Sequence, residues 1–150
     1  MDAYEKIINI ADRNQIEIHE FDTRDRDGLA FCDVSGQMAV AIHPRVVRGE
    51  KAHAARVIGH EVGHCITGSF YAKKLTLPNI GQCERRASKW YICTAVKKEE
   101  LQRALKESDD DYWGAAEALG VDIETIIEAC DHYFDVDPAA IRARLGRKDR

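Results

Sequence analysis

His60, Glu61 and His64 stand in the order His-Glu-Val-Gly-His, an order that can do chemistry if it lies on a helix. Two histidines at that spacing sit about 40° apart around the axis and roughly 6 Å along it, so both imidazoles can reach one metal ion. Glu61, next to the first ligand, leans toward the same ion without being needed to hold it. It is free to take a proton from water at the metal, which is the division of labour in zinc hydrolases. The rival reading is an ordinary pair of helical histidines on a solvated face. That reading is weaker, because three polar groups stand here amid largely apolar neighbours.

The surroundings supply the helix. The run from Glu50 to His60 is free of proline and rich in alanine and aliphatic residues. Ala54, Ala55, Ile58, Val62 and Cys65 recur at helical spacing and define a core face, while Val57, His60, Glu61 and His64 define a metal face. Gly68 and Ser69 offer a stop.

Three protein ligands and an open position make a catalytic zinc site. Metzincins take the third ligand from a histidine six residues after the second, with a glycine three residues after it. Those positions are Phe70 and Thr67, which excludes that class. The other common solution is a glutamate from a following helix, and the segment from Gln82 to Val96 provides one. Ala87, Trp90, Tyr91, Thr94 and Ala95 mark one face of it, and Glu84 extends that face by a turn toward the N-terminus. Glu84 is the expected third ligand. A surface glutamate favoured near a helix start by the macrodipole is its rival. His132, Cys83, Glu99 and Glu100 are weaker candidates, lacking either the spacing or a face shared with the core.

The run from His60 to Tyr71, followed by Glu84-Arg-Arg-Ala-Ser-Lys-Trp90, resembles the ImmA/IrrE-like metallopeptidases of prophages, mobile elements and stress regulons. The similarity covers roughly residues 3 to 106 and is carried by His-Glu-x-x-His together with Glu-x-x-Ala-x-x-Trp. It implies a cytoplasmic zinc endopeptidase that inactivates a helix-turn-helix repressor encoded nearby. It also implies that His60, His64 and Glu84 bind Zn²⁺, with Glu61 as catalytic base. Two positions depart from that pattern. Many relatives carry an aspartate where this chain has Ser88, and a hydroxyl is a weaker partner than a carboxylate for a ligand imidazole. Lys97 stands where relatives often close the ligand helix with proline.

Composition sets the frame. At 150 residues the chain reads as one domain, residues 1–97 a catalytic core and 98–150 a helical C-terminal extension. A net charge of −4 argues against a general nucleic-acid binder, whose footprint is basic. The first residues show no secretory signal pattern, and no apolar run approaches membrane-spanning length, so no membrane partner is expected. Five cysteines without framework spacing suit reduced thiols in a cytoplasm. Cys65 and Cys83, near the expected ligands in sequence, read as small core fillers, with zinc capture as the alternative if Glu84 does not bind.

The elements that must position the site are those of an α+β, minimal zincin-like domain. Residues 3 to 13 form an amphipathic helix with Ile7, Ile8 and Ala11 inward. Ile16, Ile18 and Phe21 alternate with polar residues as a half-buried strand, and Leu29–Val34 and Gln37–His43 form a hairpin about Ser35-Gly36. These give a small, largely antiparallel sheet. The strand ending at His43 is the expected edge for substrate, added as an extra strand. His53 lies about 10 Å along the helix from His60, too far to bind the same ion. It reads as a surface histidine, with a cleft-lining role as the minority view. After a loop at 68–79 and the ligand helix, helices follow at 98–106, 111–119 and 122–133, and the basic tail from Arg142 to Arg150 reads as a frayed end. The last two helices have the outline of a helix-turn-helix. However, Asp122, Glu124, Glu128 and Asp131 give the second one a charge that phosphates repel. They read as packing and protein-docking surface.

Three functions compete at this point. The first is the zinc endopeptidase, with Tyr71, Tyr91, His53 and His43 all open as donors to the oxyanion. The second is a metal-stabilised module that binds a regulator without cutting it. The third is a hydrolase of a small non-peptide substrate. An intact Glu61 favours the first, since binding alone needs no base.

Overall fold

Asp2 accepts a hydrogen bond from the Glu5 backbone at 2.9 Å, and the Glu5 carboxylate accepts one from the Asp2 backbone at 3.1 Å. This reciprocal cap starts α1 (Ala3–Arg13), which buries Ala3, Ile7 and Ala11. The computed structural model describes residues 1–70 and 77–148. Over those residues it is an α+β structure. Strands β1 (Glu17–Glu20), β2 (Gly28–Cys32) and β3 (Met38–Ile42) are followed by a short helix α2 (Pro44–Val47), then by α3 (Lys51–Thr67) and α4 (Leu77–Ala95). Helices α5 (Lys98–Glu107), α6 (Tyr112–Leu119), α7 (Ile123–Phe134) and α8 (Pro138–Lys148) complete the order.

The sheet differs from expectation in two ways. Its order is β1-β3-β2, with β1 parallel to β3 and β2 antiparallel to it, so it is mixed rather than largely antiparallel. The strand ending at His43 is therefore central, and β1 and β2 are the edges, β2 being the one that borders the cleft. The physical reason lies in the residues themselves. Met38-Ala-Val-Ala-Ile42 is apolar on both faces, and its last four residues are buried, the signature of a strand covered on both sides. The hairpin expectation holds. Asp33 Oδ1 accepts from the backbones of Ser35 at 2.8 Å and Gln37 at 2.9 Å, tying the turn between β2 and β3.

One cluster of buried side chains joins all these elements. Ile7, Val40, Ile42, Val62, Tyr91, Leu101, Ile126 and Ile141 all belong to it. Ala54, Ala55, Ile58, Val62 and Cys65 are buried as the α3 core face requires. Three further expectations are corrected. Phe21 is 64% exposed rather than inward. The loop expected at 68–79 is shorter, for helix resumes at Leu77, with Pro78 in the first turn where its missing N–H is not needed. The basic tail is helical through Lys148, because Ile141 is buried and Leu145 packs on the core one turn later. No helix among the described residues is long and apolar enough to cross a membrane.

Candidate metal centre and cleft

Two helices build the site by approaching closely. A methyl group on Gly63 would stand 2.7 Å from the Ala87 carbonyl oxygen, and one on Gly59 would stand 2.3 Å from the Tyr91 ring. With glycine at both positions, α3 and α4 come near enough for ligands on each to meet. α3 then ends at Gly68 in the left-handed conformation (φ 65°). The turn folds back so that the Ser69 N–H donates to the His64 carbonyl at 3.0 Å.

His60, His64 and Glu84 converge. The two Nε2 atoms are 3.1 Å apart, His60 Nε2 lies 2.9 Å from Glu84 Oε2, and His64 Nε2 lies 3.2 Å from Glu84 Oε1. Bonds of about 2.0–2.1 Å at tetrahedral angles require donors roughly 3.3 Å apart, so the three side chains fit a zinc ion. Their far sides support the same fit. His60 Nδ1 lies 3.1 Å from Ser88 Oγ, and His64 Nδ1 lies 2.7 Å from the Ser69 carbonyl oxygen. A carbonyl can only accept, so His64 carries its proton on Nδ1 and presents the Nε2 lone pair inward. Burial lowers the His60 pKa, against an opposing pull from Glu84. Among the described residues this is the group of histidine, cysteine and acidic side chains able to share one metal ion.

Glu61 lies beside this group on the floor of a cleft of about 460 Å³. Burial, with help from the negative charge of Glu84, pushes its carboxyl up to about 7, and Arg26 pulls weakly the other way. The edge strand β2 passes directly over it, for a methyl group on Gly28 would meet the Glu61 side chain at 2.9 Å. Gly28, Leu29 and Ala30 form that wall of the cleft, while Ser88, Arg56, Tyr91 and Glu128 line it elsewhere.

The other candidates fall away from the centre. Cys65 belongs to the core face, and burial pushes its thiol up to about 12. Cys83 is half-buried outside the metal-binding group. His132 Nε2 pairs with Cys93 Sγ at 3.3 Å, and Glu100 Oε2 accepts from the Lys97 backbone at 3.4 Å. Neither Glu99 nor Glu100 joins the metal-binding group. Of the oxyanion candidates, His43 caps α2 by accepting from Arg45 at 3.0 Å, and His53 lies 3.9 Å from Asp122. Tyr91 does line the cleft, yet its hydroxyl lies 3.3 Å from Thr125 Oγ1 in the interior. Tyr71 falls outside the described residues.

Four participants escaped the sequence. Arg56 was findable, standing one turn before His60 on the same face. The Ser69 carbonyl is a backbone atom and leaves no residue signal beyond the Gly68 turn. Arg26 and Glu128 arrive from distant segments by tertiary packing. No protein-family model matches the chain, nor does any curated protein or solved structure.

Proposed function

We propose that this protein is a zinc-dependent endopeptidase of minimal zincin layout that cuts a peptide bond in a helix-turn-helix repressor. The observation that carries the reading is the meeting of three ligands and one half-buried glutamate in an open cleft beside a sheet edge. Structural zinc sites close with four protein ligands, whereas catalytic ones keep a position free. His60, His64 and Glu84 are the three, and no fourth donor joins them among the described residues.

A zinc ion held there supplies Lewis acidity, acidifying water and polarising a carbonyl group. Glu61 does the proton work. Its carboxylate takes a proton from the attacking water and passes it to the leaving amine. Substrate lies extended along β2, whose outer edge is unpaired among the described residues. The Arg26 guanidinium makes no hydrogen bond or ion pair with the described residues, its backbone alone being tied to Thr23. In this reading its charge steadies the oxygen that turns negative as water adds. The repressor as substrate rests on the family resemblance alone. The five free thiols suit a reducing compartment, and the cytoplasm belongs to the same proposal.

One observation favours the rival, a metal-stabilised binding module that does not cut. The His60 imidazole rests on the hydroxyl of Ser88 rather than on a carboxylate, which weakens the support of a ligand. The two readings separate in one experiment. The zinc-loaded protein is mixed with the repressor encoded beside its gene, across a salt series, with chelator and Glu61→Gln as controls. A single cut that disappears in both controls is the expected result. Stable binding without any cut establishes the module instead.

A further inference from the structure

We infer that Glu128 forms a subsite of this cleft that receives a cationic side chain, lysine or arginine, from the bound peptide. The inference deepens the peptidase reading and rests on it. Glu128 comes from α7, which meets α4 where Thr125 and Tyr91 share their buried hydroxyl contact. One turn further along α7, the Glu128 side chain lines the same cleft as His60 and Glu61.

The charges around it leave it unmatched. Arg56, the cation that acts on it most, holds Asp122 Oδ2 through Nε at 2.6 Å, and His53 Nδ1 lies 3.9 Å from the same oxygen. Glu124 is held by Arg142 at 2.6 Å. The Glu128 carboxylate makes no hydrogen bond or ion pair with the described residues, so one negative charge stands in excess on this wall. It is half-buried, and burial raises its pKa despite the partial opposition of Arg56. A carboxylate stripped of water without a donor is costly, and an incoming ammonium or guanidinium group offsets that cost with charge-assisted hydrogen bonds.

Blocked hexapeptides carrying lysine, norleucine or glutamate at each position in turn test this by fluorescence titration, first without cleavage. At one position lysine should bind about tenfold tighter than norleucine, as a charge-assisted hydrogen bond implies. Glu128→Gln should erase that preference while leaving the norleucine peptides unchanged, and Glu128→Lys should transfer it to glutamate. Equal binding of lysine and norleucine by the parent at every position overturns the inference, as does failure to bind any lysine peptide. These comparisons need no variant. A preference that survives in Glu128→Gln also overturns it. Zinc-loaded parent that prefers lysine yet cuts none of the peptides sinks the peptidase reading and leaves the subsite standing.

Discussion

Gly63→Ala should damage both the fold and the metal site, although it places the best helix former inside a helix. The two effects oppose each other, and the structure decides between them. Alanine for glycine in a helix interior gains about 1 kcal/mol. Against this, the new methyl group would stand 2.7 Å from the Ala87 carbonyl oxygen, 3.1 Å from Trp90 and 3.2 Å from the Ala87 Cα. Ordinary contact begins near 3.4 Å, so α4 must retreat by about 0.7 Å, and the obstacle is backbone that cannot swing aside. Overpacking of this kind costs about 1–3 kcal/mol. The difference runs from about zero to a loss of roughly 2 kcal/mol, or a fall in Tm of up to about 8 °C for a domain of this size.

The metal site should suffer more than the fold. Ligand distances tolerate only about ±0.2 Å, and the retreat of α4 carries Glu84 away from the histidines of α3. Zinc affinity should fall by about tenfold or more, measured by competition with a chromophoric chelator. Gly146→Ala is the control, because nothing lies within 4 Å of its added methyl group. It should gain a few tenths of a kcal/mol and leave zinc binding untouched. A Gly63→Ala protein that melts above the parent and binds zinc equally well would refute the close approach of α3 and α4.

Elemental analysis should find one zinc per chain, lost in His60→Ala and His64→Ala and reduced in Glu84→Ala; full occupancy in Glu84→Ala removes Glu84 from the ligand set. Ser88→Asp should tighten zinc binding by roughly 10–100-fold, because Ser88 Oγ lies 3.1 Å from His60 Nδ1 and a carboxylate is the stronger acceptor. An unchanged affinity means that Ser88 does not support His60 in the loaded protein. Arg26→Gln should lower kcat by at least about tenfold with little change in KM, and Arg26→Lys should restore part of it. A parental kcat in Arg26→Gln takes the oxyanion away from this residue.

What the sequence disclosed and what it hid divide along a physical line. His60, Glu61 and His64 were legible because helical periodicity alone places them on one face, and Glu84 because its helix carries a second apolar stripe. Helix limits were equally local, so the expected helices at 111–119 and 122–133 stand within a residue of α6 and α7. Strand order was not local. The β1-β3-β2 arrangement follows from which strand is buried on both faces, a clue present in Met38-Ala-Val-Ala-Ile42 but outweighed by nearness in sequence to α3. Glu128 was read as one of several acidic residues that make α7 unfit for DNA. Nothing in its local pattern tells a solvated glutamate from one turned into a cleft, because only the packing of α7 on α4 makes the difference.

That difference has a measurable signature in stability. Glu128 has its pKa raised by burial, and Asp122 and Glu124 push the same way, while Arg56 and Arg142 oppose them without prevailing. A carboxyl whose folded pKa lies above its unfolded value binds more protons in the folded state. Its ionisation therefore costs nothing below the unfolded pKa. The penalty grows as pH rises from there and is complete above the folded pKa. Glu128→Gln removes the ionisation and keeps the shape. The variant should therefore melt with the parent near pH 4 and above it at pH 7, in thermal scans of the metal-free protein. An internal structural role for Glu128, as a counter-ion that Arg56 needs, gives the opposite sign: the variant would be the less stable one at neutral pH. A side chain that lowers stability while unliganded, yet lines the cleft beside the metal ligands, is what a binding subsite requires. A lower neutral-pH Tm in Glu128→Gln would thus remove the physical basis for a cationic subsite while leaving the His60–His64–Glu84 centre intact.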